Sequence, residues 1–416
     1  ERVGACTDCR RFWAQYRSGA IDRRTIDEIT DNLVPSGGTC GVMGTASTMA
    51  CVTEALGMML PGGAAIPAVL ADRMRHAEQT GARAVALASE GLTPARIITP
   101  EALANGLRML LAIGGSTNGI IHLAAIAGRL GIDIDYEAFD EMGRETPVLI
   151  DLKPSGIYYM DDLHRAGGLA PVFRELRPLL NLDCLTVTGR TLGEEIDTLP
   201  APFTQDVVRT MDRPVHRGGS IAVLKGNLAG GGAIIKQSAG SPELMVHTGK
   251  AVVFESVEDM AQRIDDPNLE VEEADVLVMK NCGPRGAPGM PEAGYIPIPK
   301  KLARQGVKDM VRISDGRMSG TAFGTIVLHA TPESAVGGPL ALVENGDMIS
   351  LDVPNRQLTL LVDDEELERR RTRIKPAVDP ASLRGYLRLY HEQVNQAEQG
   401  CDFDFMRAAR SGTATP

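Results

Sequence analysis

The first two hundred residues alternate windows of helical periodicity with short apolar runs. The helical windows are 72–80 and 100–113, and the apolar runs that predict buried strands are 84–87 and 148–152. Thr25 and Glu28 have the spacing of a capping box, which predicts a helix with Thr25 as its N-cap. Alternating helices and strands are typical of an α/β fold, so we predict an N-terminal α/β domain over residues 1–204.

From about residue 218 the pattern changes to closely spaced strands with few helices between them. The predicted strands are 220–224, 233–236, 251–254, 276–279, 310–313, 325–330, 349–353 and 358–362. The last two, in which every second residue is apolar, flank a polar turn at 354–356 and predict a hairpin. We therefore predict a C-terminal β domain, barrel or sandwich, over 205–378, and a closing helix and tail over 379–416.

Composition excludes several classes of protein. The 416 residues suggest two or three domains at roughly 150 residues each. The chain has 43 Lys and Arg against 54 Asp and Glu, and aromatic residues make up 4%, so it lacks the basic, aromatic surface of a nucleic-acid binder. The most apolar window, 56–71, is broken by prolines and glycines, which excludes a membrane span. Seven cysteines in a long chain indicate reduced thiols or metal ligands, as in a cytoplasmic enzyme.

Cys40 lies in a glycine-rich loop, 36–47, which leads into a predicted helix starting near Thr45 or Ser47. Backbone N–H groups and the positive end of a helix stabilise a thiolate there, which suits an iron–sulfur ligand or a nucleophile. A small loop residue without chemistry is the alternative.

Cys6 and Cys9 form a CxxC motif, which could be half of a zinc site or a redox pair. The chain has no second CxxC, and its seven histidines show no HxxxH or HExxH spacing. A structural role for both cysteines is therefore favoured.

Two later loops rich in glycine carry polar side chains. The loop 281–292 is constrained by prolines and ends at Glu292, whose carboxylate could bind Mg²⁺ or be an ordinary solvated group. The loop 314–324 contains Ser319, whose hydroxyl can act as a base if a metal, a cation or a helix end lowers its pKa. An anion-binding turn is the alternative for this second loop.

Together these loops resemble the dihydroxy-acid and phosphogluconate dehydratase family. The matching stretches, in chain order, are 38–49, 114–118 with His122, 154–156, 185–189, 226–228, 288–292, 315–320, and 337–339 with 346–347. The resemblance implies an α/β N-terminal domain and a β-barrel C-terminal domain. It also implies a hydro-lyase that removes water from a 2,3-dihydroxy acid to give a 2-keto-3-deoxy acid, using an iron–sulfur cluster and Mg²⁺.

The resemblance assigns roles to four residues. Cys40 matches the third cysteine ligand of the cluster, and Glu292 matches a ligand of Mg²⁺. Ser319 matches the proposed base, acting as an alkoxide, and Thr321 lies where a contact with the substrate is expected. The other cluster cysteines and Mg²⁺ ligands of the family lie in an upstream segment that this sequence does not contain. We therefore expect the N-terminal domain to be incomplete and the chain alone to be inactive.

The resemblance is greater to the sugar-acid members than to the branched-chain members of the family. Branched-chain dihydroxy-acid dehydratases typically carry Phe where this chain has Met318, whereas 5–9, 40–43, 318–323 and 400–405 resemble the aldonate dehydratases. We expect an aldonate substrate such as arabinonate, xylonate or galactonate, a 2Fe–2S cluster and a homodimer or homotetramer. The alternatives are a dihydroxy-acid dehydratase of branched-chain amino-acid synthesis and an inactive truncated scaffold.

Overall fold

The computed structural model describes residues 3–4, 7–34, 36–374 and 382–408, which form two compact units. The N unit comprises the described residues of Glu1–Cys9, Asp27–Gly119 and Glu141–Ser220. The barrel unit comprises the described residues of Arg10–Ile26, Ile120–Asp140 and Ile221–Pro416. No helix in the described part of the chain is long and apolar enough to cross a membrane.

Helices dominate the first half of the chain and strands the second. The α-helices of the described residues are α1 (Thr7–Ser18), α2 (Arg23–Asp31), α3 (Thr45–Ala55), α4 (Ala71–Glu90), α5 (Pro94–Ile97), α6 (Pro100–Ala112), α7 (Asn118–Gly128), α8 (Tyr136–Glu145), α9 (Met160–Arg165), α10 (Ala170–Leu176), α11 (Leu192–Asp197), α12 (Val257–Arg263), α13 (Lys300–Arg304), α14 (Asp364–Arg371) and α15 (Gly385–Gln393). The strands are β1 (Ala222–Gly226), β2 (Ala229–Ile235), β3 (Val246–Phe254), β4 (Val276–Met279), β5 (Arg312–Ser314), β6 (Ile326–Thr331), β7 (Met348–Asp352) and β8 (Gln357–Leu360).

Helix α6 is almost entirely buried in the N unit, and its predicted position is confirmed. Thr99 caps it by accepting a hydrogen bond from the Ala102 N–H, and Pro100 occupies the first helical position, where a missing N–H costs nothing. Its apolar residues pack against α3, whose predicted start at Thr45 is also confirmed. This packing fixes the position of the loop that precedes α3.

Two strands predicted for the N unit are wrong. The run 84–87 lies inside α4, which continues to a left-handed Gly91 (φ 66°). A short apolar run rich in alanine fits a helix as well as a strand, and here the helix prevails. The run 148–152 pairs through isolated bridges, to His216 and Val208, rather than as a strand.

Two helices also begin or end at residues other than those that the sequence predicts. Helix α2 begins before Thr25, so Thr25 is not its N-cap; instead the Asp22 carboxylate accepts the Thr25 N–H at 2.9 Å. The closing helix is shorter than predicted and covers Gly385–Gln393. It stops because Val394 is extended and forms a bridge with Phe403.

The predicted β domain is a closed barrel rather than a sandwich. Its strands follow the order β1-β2-β6-β5-β4-β3-β7-β8, and all lie within the predicted range 205–378. Strands β3, β4, β5 and β6 are parallel neighbours, whereas β1, β2 and β6 and also β3, β7 and β8 pair antiparallel. A parallel bridge between Lys225 and Gln357 closes the barrel. Parallel pairs need crossover connections, and α12 and α13 lie in two of them.

Alternate residues of the barrel strands belong to two different apolar clusters. In β4, Val276 and Val278 pack in one cluster with side chains from the other strands. Leu277 and Met279 pack in a second cluster with Leu302 of α13. Strands buried on both faces read as continuous apolar runs, which is why the sequence located β4 correctly.

A buried ion pair between Asp309 and Arg312 ties β5 to its neighbours. Arg312 is 1% exposed, and its guanidinium donates to the Asp309 carboxylate at 2.5 Å. The same carboxylate accepts hydrogen bonds from the Thr325 N–H (2.9 Å) and the Ser241 hydroxyl (2.7 Å). One carboxylate therefore holds three separate segments of the barrel unit.

Asp309→Ala should lower the free energy of unfolding by about 3–5 kcal/mol, because it leaves the Arg312 charge buried without its partner. Urea denaturation followed by circular dichroism measures the loss. Glu368→Ala, which breaks an exposed pair with Arg371, is the matched control and should leave the midpoint unchanged. Equal midpoints for the two variants would contradict the assigned role of Asp309.

Candidate functional site

The barrel brings two of the predicted loops to one edge of its sheet. Strands β4 and β5 are parallel neighbours, and their last residues, Met279 and Ser314, lie opposite each other. The loop 281–292 leaves the end of β4, and the loop 315–325 leaves the end of β5. Loops at the carboxyl ends of adjacent parallel strands are a common place for ligand sites. Glu292 and Ser319 are therefore carried by neighbouring loops.

Two buried carboxylates hold the loop 281–292. Asp315 accepts the Cys282 N–H at 2.8 Å and, with its other oxygen, the Ser334 N–H at 2.8 Å. Glu333 accepts the backbone N–H groups of Arg285 (3.0 Å) and Gly286 (2.9 Å). Burial raises the pKa of both carboxyl groups, and these hydrogen bonds counteract that effect by favouring the charged forms.

Tyr390 of α15 makes two hydrogen bonds to the backbone of the same loop. Its hydroxyl donates to the Pro284 carbonyl at 3.0 Å and accepts the Gly289 N–H at 2.8 Å. The Arg317 side chain donates to the Met290 carbonyl, and the Gly294 N–H donates to the Arg317 carbonyl at 2.8 Å. Glu292, which is exposed, is thus held on both sides by fixed backbone.

Ser319 and Thr321 form a hydroxyl pair in the second loop. Their side-chain oxygens are 2.9 Å apart. Thr321 is buried at 1% exposure, whereas Ser319 is half-buried. The end of the loop is fixed at Thr325 by Asp309, and the Gly324 N–H donates to the Ala239 carbonyl at 2.8 Å. The structure therefore brings together the two residues that the sequence predicted as base and substrate contact.

A buried lysine lies against the same turn. Lys236 follows β2, and its ammonium donates to the Gly320 carbonyl, between Ser319 and Thr321, at 3.2 Å. Burial lowers its pKa to about 7. No motif in the sequence pointed to Lys236 as a site residue. Its position directly after the apolar run of β2 is the one feature of the sequence that could have indicated a buried lysine.

Two histidines of the barrel unit interact electrostatically with Arg317. Burial is the main cause that lowers the pKa of His329 to about 3, and the charges of Arg317 and His122 add to it. His329 also has an unusual φ of 54°, and neither of its ring nitrogens has a hydrogen-bond partner among the described residues. For His122, burial and Arg317 lower the pKa while Glu292 raises it. His329 is a second residue that no sequence motif pointed to.

Cys40 belongs to the N unit, in a loop held by backbone contacts. The Met160 N–H donates to the Gly41 carbonyl at 2.8 Å, and the Met43 N–H donates to the Lys153 carbonyl at 2.9 Å. Cys40 itself is partly exposed. The backbone directly after Cys40 is therefore fixed by hydrogen bonds, and the role of the thiol stays a prediction.

The start of α3 after this loop packs on the loop 114–118. The Thr45 hydroxyl is 2.9 Å from the Ser116 hydroxyl and accepts a hydrogen bond from the Asn118 amide at 3.0 Å. The Ser116 hydroxyl also accepts the Asn118 N–H at 3.2 Å. This last contact satisfies a backbone N–H at the start of α7, as capping side chains do.

Lys153 links the start of the chain to the Cys40 loop. Its ammonium is 3.0 Å from Asp8 and donates to the Tyr159 hydroxyl at 2.6 Å. Those hydrogen bonds raise the pKa of Lys153 against the opposing effect of burial. In the CxxC motif, Cys9 lies in α1 and Cys6 lies outside the described residues.

The described residues do not by themselves form a metal site. No three side chains of His, Cys, Asp or Glu in the described ranges lie close enough together to hold a metal ion. Cys40 and Glu292 belong to different units, so each could supply a single ligand to a different group. A cluster or a hexacoordinate Mg²⁺ needs more donors than either unit offers there.

The sequence matches two family models that together cover most of its length. Residues 2–195 match the dihydroxy-acid/6-phosphogluconate dehydratase N-terminal model, and residues 206–401 match the C-terminal model of the same family. The expectation of an incomplete N-terminal domain is therefore not borne out, and these matches give no support to the predicted inactivity.

Several known proteins resemble this chain over most of its length. The L-arabinonate dehydratase of Rhizobium leguminosarum bv. trifolii is 48% identical, over 99% of this chain and 71% of its own length. The 6-deoxy-6-sulfo-D-gluconate dehydratase of Pseudomonas putida is 44% identical, over 100% and 71%. The dihydroxy-acid dehydratase of Methanothrix thermoacetophila is 44% identical, over 90% and 68%. With both family models matched and this identity along its length, the chain belongs to the dihydroxy-acid/6-phosphogluconate dehydratase family.

Proposed function

We propose that the protein is a hydro-lyase that converts a sugar acid to its 2-keto-3-deoxy acid by removing water across C2 and C3. The observation that carries the proposal is the Ser319–Thr321 hydroxyl pair on a rigid turn next to the Glu292 loop. The relatives named L-arabinonate dehydratase and 6-deoxy-6-sulfo-D-gluconate dehydratase, at 48% and 44% identity, support the sugar-acid class.

Ser319 acts as the base in this proposal. Its ionised oxygen takes the proton from C2, the C2–H electron pair forms the double bond to C3, and the C3–O bond breaks so that the hydroxyl leaves as hydroxide. The hydroxide takes the proton from the Ser319 hydroxyl, which forms the water that is lost and returns Ser319 to its ionised form. The enol that remains tautomerises to the 2-keto acid, so one water is lost in total. Thr321 can donate a hydrogen bond to the Ser319 oxygen at 2.9 Å, which stabilises its ionised form and orients it.

We further propose that an iron–sulfur cluster, of the 2Fe–2S type, and Mg²⁺ take part, with Cys40 as one ligand of the cluster and Glu292 as one ligand of Mg²⁺. When bound, such groups supply Lewis acidity toward a leaving hydroxyl and a carboxylate. The described residues do not complete either ligand set. The roles of Ser319 and Thr321 in the reaction are therefore derived from these side chains alone.

The second candidate is a dihydroxy-acid dehydratase of branched-chain amino-acid synthesis. The Methanothrix relative of that name, 44% identical over 90% of this chain, favours it. In either case we propose a small-molecule substrate, no nucleic-acid or membrane partner, a homodimer or homotetramer and a cytoplasmic location.

A substrate panel separates these candidates. We expect the protein, produced anaerobically from its natural gene, to form 2-keto acid from a pentonate or hexonate faster than from dihydroxyisovalerate. The measurement is the initial rate of 2-keto acid formation for each substrate. Turnover of dihydroxyisovalerate alone would select the second candidate, and no turnover of any substrate would leave the scaffold alternative.

Ser319→Ala should lower kcat at least about a hundredfold, because a positioned base contributes about 10²–10⁴ to the rate. Thermal unfolding should be unaffected, since the side chain is half-buried and its hydrogen bond among the described residues is with the neighbouring Thr321. Ser350→Ala on β7 is the matched control and should keep full activity. Retention of more than a tenth of the activity by Ser319→Ala would refute the role of this residue as base.

Cys40→Ser should reduce the iron bound per protein chain, because a hydroxyl is a poor ligand for iron in such clusters. Metal analysis and the visible absorption spectrum of anaerobically purified protein measure the loss. Cys184→Ser, a partly exposed cysteine of the same unit, is the control and should keep the iron content of the unmodified protein. The same iron content in both variants would exclude Cys40 as a ligand.

A further inference from the structure

Lys236 is a fully buried cation with no counter-ion among the described residues. The residue is 1% exposed, and the single hydrogen bond that its side chain makes to described residues is to the Gly320 carbonyl at 3.2 Å. No charged side chain of the described residues contributes to its pKa, which burial alone lowers to about 7. An amine in this environment costs folding free energy, because burial penalises the charged form.

The barrel unit contains a second buried lysine, and this one has a counter-ion. Lys280, at the end of β4, is buried too, but its ammonium is 3.0 Å from the Glu255 carboxylate and donates to the Ala341 carbonyl. Lys280 therefore has the ion pair that usually accompanies a buried charge. Lys236 lacks this compensation, so packing and charge pairing do not account for it.

The position of Lys236 relative to the turn suggests what it does. The carbonyl that it binds belongs to Gly320, whose neighbours in the chain are Ser319 and Thr321. A hydrogen bond at that carbonyl fixes the peptide groups that carry both hydroxyls. The positive charge of Lys236 therefore lies against the turn that carries the Ser319 hydroxyl, and Lys236 and Thr321 are both buried there, where electrostatic effects are stronger than in water.

We propose that Lys236 is a positioning residue for the Ser319 base: its ammonium holds the turn through the Gly320 carbonyl, and its charge favours the ionised form of the Ser319 hydroxyl. The counter-ion that Lys236 lacks is then the Ser319 oxygen itself when it is ionised. Lys236 forms no covalent bond and keeps its proton throughout the reaction. This inference rests on the proposed function, because it requires Ser319 to act as the base.

The test compares Lys236→Met with Lys280→Met in the anaerobically produced protein. For Lys236→Met we expect kcat to fall at least tenfold with KM changed less than threefold. We also expect the acidic limb of the kcat–pH profile to move to higher pH by roughly one unit, because removing the cation raises the pKa of the base. Lys280→Met should leave the position of that limb unchanged.

Stability provides an independent readout. Because methionine has a similar length and no charge to desolvate, Lys236→Met should have a urea midpoint equal to or higher than that of the unmodified protein. A lower midpoint together with an unshifted pH profile would mean that Lys236 is merely structural, and this would overturn the inference.

Ser319→Ala, measured in parallel, separates the two proposals. If Ser319→Ala abolishes turnover while Lys236→Met keeps the kcat and the pH profile of the unmodified protein, the inference about Lys236 fails and the proposed base stands. If Ser319→Ala retains turnover, the proposed function of Ser319 fails first. If both variants lose turnover and Lys236→Met shifts the acidic limb, both proposals are supported.

Discussion

The parallel register of β4 and β5 is the constraint on which the candidate site depends. With Met279 opposite Ser314, the loops that follow the two strands must leave the barrel side by side. Each loop is then fixed to the other by backbone hydrogen bonds, such as the one from Gly294 to the Arg317 carbonyl. Without this register, the loops that carry Glu292 and Ser319 would have no reason to leave the barrel as neighbours.

The polar and charged side chains around these loops are of two kinds, those with several hydrogen bonds and those with few or none among the described residues. Asp315 and Glu333, which are buried, and Asp309, which is partly buried, each accept several hydrogen bonds. These hydrogen bonds offset part of the cost of desolvation, so the three carboxylates act as anchors. Lys236 and His329 are buried without such compensation. Uncompensated polar groups cost stability and are kept where a site requires them, and both of these lie on segments that contact the Ser319 loop.

Pattern and turn chemistry located most of the barrel strands and helix α6, but they wrongly predicted two strands in the N unit. The strands β4, β7 and β8 were predicted closely because their residues are continuously apolar or strictly alternate, and each pattern has one structural solution. The run 84–87 was misread because a few apolar residues fit one turn of a helix equally well, and its surroundings decide. The sheet is a barrel rather than a sandwich because Lys225 pairs with Gln357 and so joins β1 to β8. The sequence of neither strand by itself indicates this pairing.

The sequence by itself determined the family, the chemistry-bearing loops and the identity of Cys40, Glu292, Ser319 and Thr321 as candidates, because glycine, proline and polar spacing are local properties. Only the tertiary structure decided which of these side chains meet. It assigned Cys40 to a different unit from Glu292 and Ser319, and it brought Lys236, which follows β2, to the Gly320 carbonyl more than eighty residues away in the sequence. Contacts over such distances follow from strand order and register, which no local pattern encodes.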